Sequence, residues 1–411
     1  MNRTYFFNSR TCYQVVYWLF LLVLTTRPGY AQVVAFSNNT TIAMVNDTGL
    51  FTPVRKIQVS FLPGISINRQ PKDDIVDVSF NIIGGCVKEV RGFELGSVFN
   101  IDRENAGKCQ LAGVSNLVGG TFRGLQMAGV LNTVRGDAGD IQMAGVSNVV
   151  GGSFHGLQMA GVSNLSKSLN GLQASGVVNA SKTTTGLQIA GVVNLSGQTK
   201  GTQIAGVVNC SKEVDGFQLS GCANVTSYFK GVQLSVFNFA DSCDGVPIGI
   251  LSFVRKNGYH KIELSGDEIF YTNLALRTGI TRFHTMIMAG IKHDNFETPL
   301  WAFGYGAGTT LGPQGKMNYD LELSTQHISK DRFNDYTSEL CKLYVGIDKK
   351  IFGKTSIAVG VTYNFYITDT HSPEYLGSLS KIAPYYMTNN AFHNGINIKT
   401  WLGGKIAIRF L

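Results

Sequence analysis

Apolar and polar positions alternate along most of this chain, and between Gly92 and Asn238 they do so in a single phrase said ten times. Gly186–Asn194 reads GLQIAGVVN, with GLQASGVVN before it at Gly171–Asn179 and GTQIAGVVN after it at Gly201–Asn209. The central amide falls at Gln110, Gln126, Gln142, Gln158, Gln173, Gln188, Gln203, Gln218 and Gln233, and Glu94 opens the series. The step is 16 residues four times and then 15 residues five times. A fixed period of this kind marks a repeat architecture, in which each unit buries its apolar face on the next.

Numbered from its Gln, the phrase predicts two faces of a strand, because side chains alternate with period two. One face carries the Gln, a small residue (Ala112, Ala128, Ala190, Ser220), a Val (Val114, Val130, Val192) and an Asn. Those Asn residues are Asn116, Asn132, Asn148, Asn164, Asn179, Asn194, Asn209, Asn224 and Asn238. Together with the nine Gln they form the predicted inward face. The opposite face needs only to be apolar, as in Leu157, Met159 and Leu165. Charge is confined to connectors such as Ser211–Asp215 and Arg135–Asp140, with Glu94 and Lys108 as exceptions inside the phrase.

Two all-β architectures fit. In an antiparallel meander each repeat is one strand and a turn, long enough to cross a bilayer when tilted, since roughly 9–11 residues suffice. In a parallel solenoid each repeat is one coil, with Gln and Asn stacked in ladders. A soluble solenoid would point polar groups outward, whereas hydrocarbon accepts any apolar side chain, so one exacting face and one merely apolar face point to lipid. The expected fold is therefore an antiparallel meander forming an outer-membrane-type β-barrel. The alternative is a 15/16-residue β-solenoid joined to a C-terminal β-barrel.

The rest of the chain frames the repeats. Residues 1–31 resemble an export signal: Arg3 and Arg10, the apolar Val15–Leu24, then small Gly29 and Ala31 before Gln32. Residues 32–55 form a polar surface arm, and 56–91 contain two strands, Lys56–Asn68 and Asp77–Ile83. The repeats span 92–239, and 240–411 form the barrel region. Within that last region strand patterning falls at Pro247–Val254, Tyr259–Gly266, Phe270–Thr278, His284–Ile291, Leu300–Thr310, Met317–Ser324, Leu340–Asp348, Thr355–Tyr366 and Trp401–Leu411. Ser372–Asn394 is the longest irregular connection and reads as a surface loop.

Composition changes this picture little. Of the 411 residues 44% are hydrophobic and 15% charged, against roughly 25% charged in ordinary soluble domains. Removing Arg3, Arg10 and Arg27 with the signal lowers the net charge from +8 to +5, too mild and scattered for nucleic-acid binding. Cys86, Cys109, Cys210, Cys222, Cys243 and Cys341 remain in the exported chain without a CxxC pair. Cys109, Cys210 and Cys222 stand where sister repeats carry Leu, Val or Ala, which predicts small buried hydrophobes.

At this point the phrases GLQMAGVSN, GLQIAGVVN and GVQLSVFN resemble the surface-repeat family of Gram-negative, Bacteroidota-type envelope proteins. So does the continuation Pro247–Thr278. The resemblance implies an exported protein of the outer membrane or cell surface and lends no active-site residues. Outer-membrane lipid, and an extracellular ligand or envelope protein, are the expected partners.

No chemistry competes with that reading. His155, His260, His284, His293, His327, His371 and His393 show no metal-ligand spacing. Gly304–Gly308 lacks the following helix of a phosphate loop. The acidic pairs Asp267/Glu268 and Asp320/Glu322 fit turn and lumen-facing positions. No catalytic, cofactor or metal residue is assigned, and the chain is not expected to be an enzyme. Three functions remain: a passive pore or barrel-type surface protein, a surface interaction protein carrying a repeat solenoid, and a structural envelope component.

Overall fold

The computed structural model describes residues 54–68, 71–292, 300–312, 317–330, 338–370, 382–392 and 395–410. The expected signal and nearly all of the expected arm lie outside these residues. The fold is all-β, a parallel β-solenoid of about 12 turns and a closed eight-stranded barrel. A contact boundary between Glu213 and Val214 divides the chain into two compact units.

In the first unit neighbouring repeats pair in parallel and in register. Asn148 stands beside Asn164 and Gln158 beside Gln173, and the next pairs are Asn164 with Asn179 and Gln173 with Gln188. Each repeat is thus one coil, and the antiparallel meander expected for this stretch is overturned in favour of the solenoid. The physical reason lies in the amides. A buried primary amide needs both donors and acceptors met, and stacking like on like at the strand spacing of about 4.8 Å does so for every rung. An antiparallel wall would set each Gln against a different residue.

The predicted inward face needs one further correction. Val114, Val130 and Val192 do not share it, being 41%, 41% and 36% exposed. The strand breaks at a Gly-Val corner, as between Ala112 and Ser115, which resets the alternation before the Asn. Met159 is exposed as expected, with Leu157 and Leu165 half-buried. The outward face of the phrase is therefore apolar, but around a solenoid.

The phrase's opening glycine has a definite task. Gly171 has φ +139°, and a Cβ there would lie 2.2 Å from the Gly156 carbonyl oxygen. Lys108 and Asp140 take this position with φ 62° and 72°, in the left-handed region that costs an L-residue roughly 1–2 kcal/mol. The coil of Asp140 also places Ala138 in the core between Phe122 and Phe154, and the coil of Lys108 places Ala106 between Val90 and Phe122. Large and small alternate down this column because a ring needs more height than one coil provides.

The coils extend beyond the phrase at both ends. Val54–Leu62 already pairs in parallel with Ile75–Asn81. In the second unit Phe237–Ala240 pairs with Leu251–Val254, the last coil. The barrel then follows, with strands Lys261–Asp267, Thr272–Ile280, Phe283–Lys292, Leu300–Leu311, Met317–Lys330, Ser338–Phe352, Thr355–Asp369 and Ile396–Phe410. Each is antiparallel to its neighbour, and Ile262 opposite Phe410 closes the ring. Each lies within a few residues of a segment expected from the sequence.

The two ends of the barrel differ. At one end lie the start of the first strand, the end of the last, and the short links Thr281–Arg282, 312–316 and Gly353–Lys354. At the other lie the four-residue link Glu268–Tyr271 and the longer links 293–299, 331–337 and 370–395. The expected surface loop Ser372–Asn394 belongs to the last of these, and its residues 372–381, Tyr375 included, lie outside the described ones. Its described part is mostly exposed and is held at a few points: Ile382 is buried, Tyr386 sits edge-on to Trp401, and Thr388–Ala391 adds to the last strand.

Candidate functional site: two polar interiors

All nine Gln and nine Asn of the predicted inward face are buried. They face a solid core rather than a lumen. In the first unit each Gln after Gln110 donates Nε2 to the Oε1 of the Gln one coil earlier: Gln126 to Gln110 at 2.7 Å, Gln158 to Gln142 at 2.7 Å, Gln203 to Gln188 at 2.7 Å. Gln233 does the same to Gln218 in the second unit, at 2.6 Å. The Asn column runs the other way. Asn116 donates Nδ2 to Asn132 at 2.8 Å, Asn148 to Asn164 at 2.9 Å, Asn194 to Asn209 at 3.0 Å and, in the second unit, Asn224 to Asn238 at 3.1 Å. The amide dipoles of the two columns therefore oppose each other. Each of these Asn also ties a main-chain carbonyl of the next coil, as Asn116 does with Met127 at 2.8 Å.

The change from 16 to 15 residues alters what accompanies the ladders. The longer coils bring Val118, Val134 and Val150 into an apolar cluster with Phe122 and Phe154. The shorter ones place hydroxyls at the corresponding level, and Gln173 and Gln188 donate to Ser166 and Ser181 at 3.1 and 3.3 Å.

Glu94 occupies the Gln column and accepts from Asn81 at 2.9 Å and Gln110 at 2.8 Å. Asp102 is buried beside it and also accepts from Gln110. Burial, and then the neighbouring Glu94, hold the Asp102 carboxyl well above the usual carboxylate range. Burial raises Glu94 as well, against the amide donors that favour its charge. Two carboxyls in one dry site cannot both ionise cheaply, so this pair retains a proton.

No disulfide joins the cysteines of the described residues. Cys210 and Cys243 are buried, and burial pushes the Cys243 thiol up to about 11. The expectation of buried hydrophobes fails at Cys222, which is exposed, and holds only in part at Cys109, which is half-buried. Cys222 lies at the Gly-Val corner, where the side chain points out.

The barrel interior is of another kind. Toward the short-link end, Arg277 pairs with Glu263 at 2.6 Å and is bidentate on Glu322, with its second contact at 3.0 Å. Arg409 reaches Glu263 at 2.7 Å, Asp320 at 2.5 Å, Asp348 at 3.1 Å and Glu322 at 3.3 Å. Lys405 joins Glu263 at 2.7 Å and lies over the Tyr344 ring at 4.6 Å. Both arginines are fully buried. Room for them comes partly from Gly304, Gly306 and Gly308 on one strand: a Cβ on Gly308 would meet Glu322 at 2.8 Å. The cavity beside the network holds about 30 Å³, the space of roughly one water.

Toward the other end the interior turns apolar, with Ile269, Phe270, Ile328, Leu340, Tyr366 and Trp401 packed together. The link after the first strand anchors this plug. Asp267 accepts the main-chain N–H groups of Ile269 and Phe270 at 2.9 and 2.7 Å and pairs with Lys342 at 2.5 Å. Glu268 accepts from Trp401 Nε1 at 2.8 Å, Asn364 at 2.8 Å and the Gly404 N–H at 3.1 Å. The outer wall is apolar and exposed, with Leu264, Leu274, Phe303, Leu321, Leu323, Val345, Val361 and Ile406 among its residues.

The sequence reading missed this network as a unit. Its members lie up to 146 residues apart, and only Asp320 and Glu322 stood out, as lumen-facing positions. The signal was present in the strands that contribute to the network as a charge at an inward position, as in Lys405, Arg409 and Arg277. Among the described residues no group of His, Cys, Asp and Glu could hold a metal ion. No protein family, curated protein or solved structure matches this chain.

Proposed function

We propose that the chain is an envelope protein whose barrel crosses the outer membrane as a sealed anchor and whose solenoid is the interaction surface for a partner. The observation that carries this reading is the inversion of the barrel: an apolar exposed wall around a charged and packed interior. Hydrocarbon is the surrounding that favours such a wall, and a closed ring leaves no unpaired strand edge within it. Short links at one end and long ones at the other match the usual asymmetry of outer-membrane barrels, with short turns on the periplasmic side. The export-like segment at 1–31 supports the same location.

A passive pore is the weaker reading, because Arg277, Arg409, Glu263 and Glu322 bridge opposite sides of a narrow interior. The test is fractionation with gel migration. The full-length protein is expected in the outer-membrane fraction and, unboiled, to migrate away from its heated position. Recovery as a soluble, heat-insensitive species would overturn the proposal.

A further inference from the structure

We infer that the solenoid coils next to the barrel lie along the membrane surface, with the Gly-Val corner turned toward the lipid leaflet. This rests on the membrane reading of the barrel. Within the second unit the last coil docks on the outside of the barrel wall, not on its open end. The Ser252 N–H bonds to Thr278 Oγ1 at 3.1 Å, Thr285 Oγ1 donates to the Ile250 carbonyl at 3.4 Å, and Tyr305 OH donates to the Gly249 carbonyl at 2.9 Å. Thr278, Thr285 and Tyr305 sit on the outward side of their strands, since the adjacent Arg277 and His284 belong to the interior. The two threonines are only 6% and 1% exposed although they face out. The coil covers them.

Main-chain N–H and C=O groups of a parallel coil point along the stacking axis, toward the place of the next coil. In the last coil these groups meet the wall, so the axis leaves the barrel sideways, in the plane of the membrane the barrel spans. The coil's orientation about that axis is also fixed. Its corner, Gly249–Ile250, bonds to Tyr305, which is level with Ile287 and so farther from the tight turn Thr281–Arg282 than Thr278 and Thr285 are. Its other end, Val254, packs with Ile280 and Phe283 at the turn itself. The corner therefore faces the apolar band, and Arg255 and Lys256 face away from it.

The corner and the strand positions on either side of it form an apolar ridge. In the second unit Leu234, Phe239, Ile250 and Phe253 are 39%, 40%, 46% and 48% exposed. The first unit, taken by itself, carries the same ridge in Met127, Val130, Met159, Ile189, Val192 and Val207. An exposed apolar surface of this extent is unusual in water, and here it runs on from the wall assigned to lipid. A fluid leaflet is the occupant this continuity favours.

The test uses the full chain in phosphatidylethanolamine/phosphatidylglycerol vesicles with brominated acyl chains. A fluorophore is placed at Cys222, on the corner, as the sole cysteine, and in parallel proteins at Leu321→Cys on the barrel wall and Lys256→Cys beyond the turn. Quenching at Cys222 is expected to approach that at Leu321→Cys and to exceed that at Lys256→Cys several-fold. Quenching at Leu321→Cys but not at Cys222 overturns the inference and leaves the barrel in place. No quenching at Leu321→Cys overturns the membrane reading itself. Crosslinking of two copies through Cys222 in the vesicles, with no quenching, assigns the ridge to a second copy and also overturns the inference.

Discussion

The solenoid and the barrel both bury a polar column, yet they solve the problem in opposite ways. The solenoid uses neutral amides that repeat by translation, each meeting a copy of itself one coil away. The barrel uses full charges that never repeat, with two arginines and a lysine set among four carboxylates from three strands. A neutral ladder distributes its cost, because any rung touches only the rungs beside it. A charge network concentrates it, because desolvated ions are tolerable only while every partner is present. Removing one member should therefore be a local event in the solenoid and a global one in the barrel.

The largest effect is expected from Arg409→Met. It leaves Asp320 and Asp348 without their arginine and removes one cation from Glu263 and Glu322, a loss of about 3–5 kcal/mol by analogy with broken buried pairs. Loss of the heat-sensitive folded band is the readout, and an unaltered band would remove the distinction drawn above. Gln158→Leu comes next. It strands the Gln142 Oε1 acceptor and leaves Gln173 Nε2 with Ser166 alone, costing roughly 1–3 kcal/mol for the stranded buried group. Urea unfolding followed by hydrogen exchange should show that loss confined to nearby coils. Spread across the whole chain would contradict it.

The Glu94/Asp102 pair is the one place where the solenoid borrows the barrel's chemistry, and it sharpens the comparison. A carboxyl raised in the fold keeps a proton that the unfolded chain has released. Its stabilisation is therefore full below the unfolded value of 3.8 and is lost as pH rises through the folded value. Asp102→Asn should make the first coils more stable at neutral pH and flatten their pH dependence. Thermal melts across pH 4–8 check this, and a variant less stable than the parent at pH 7 would contradict it. The smallest effect is expected from Asp140→Gly, which relieves a φ of 72° and should stabilise by about 1 kcal/mol in the same melts.

What could be read in advance follows the same division. The ladder residues were visible because repetition writes each inward position many times, as at Gln110 through Gln233. The eight barrel strands were visible through alternation, from Lys261–Asp267 to Ile396–Phe410. Strand direction was not, since period-two alternation is the same for parallel and antiparallel neighbours. The corner was hidden too: Gly129-Val130 continues the alternation in sequence while the backbone turns. The charge network was least accessible, because Glu263, Asp320, Asp348 and Arg409 meet only when the ring closes.

The central claim is that the barrel is a closed, filled anchor rather than a conduit, and single-channel recording tests it most directly. Purified full-length protein, shown by its unboiled gel band to be folded, is added to a planar lipid bilayer. The charge network and the apolar plug predict no steps of conductance above background. Stable, ohmic unitary currents from the folded protein would contradict the account.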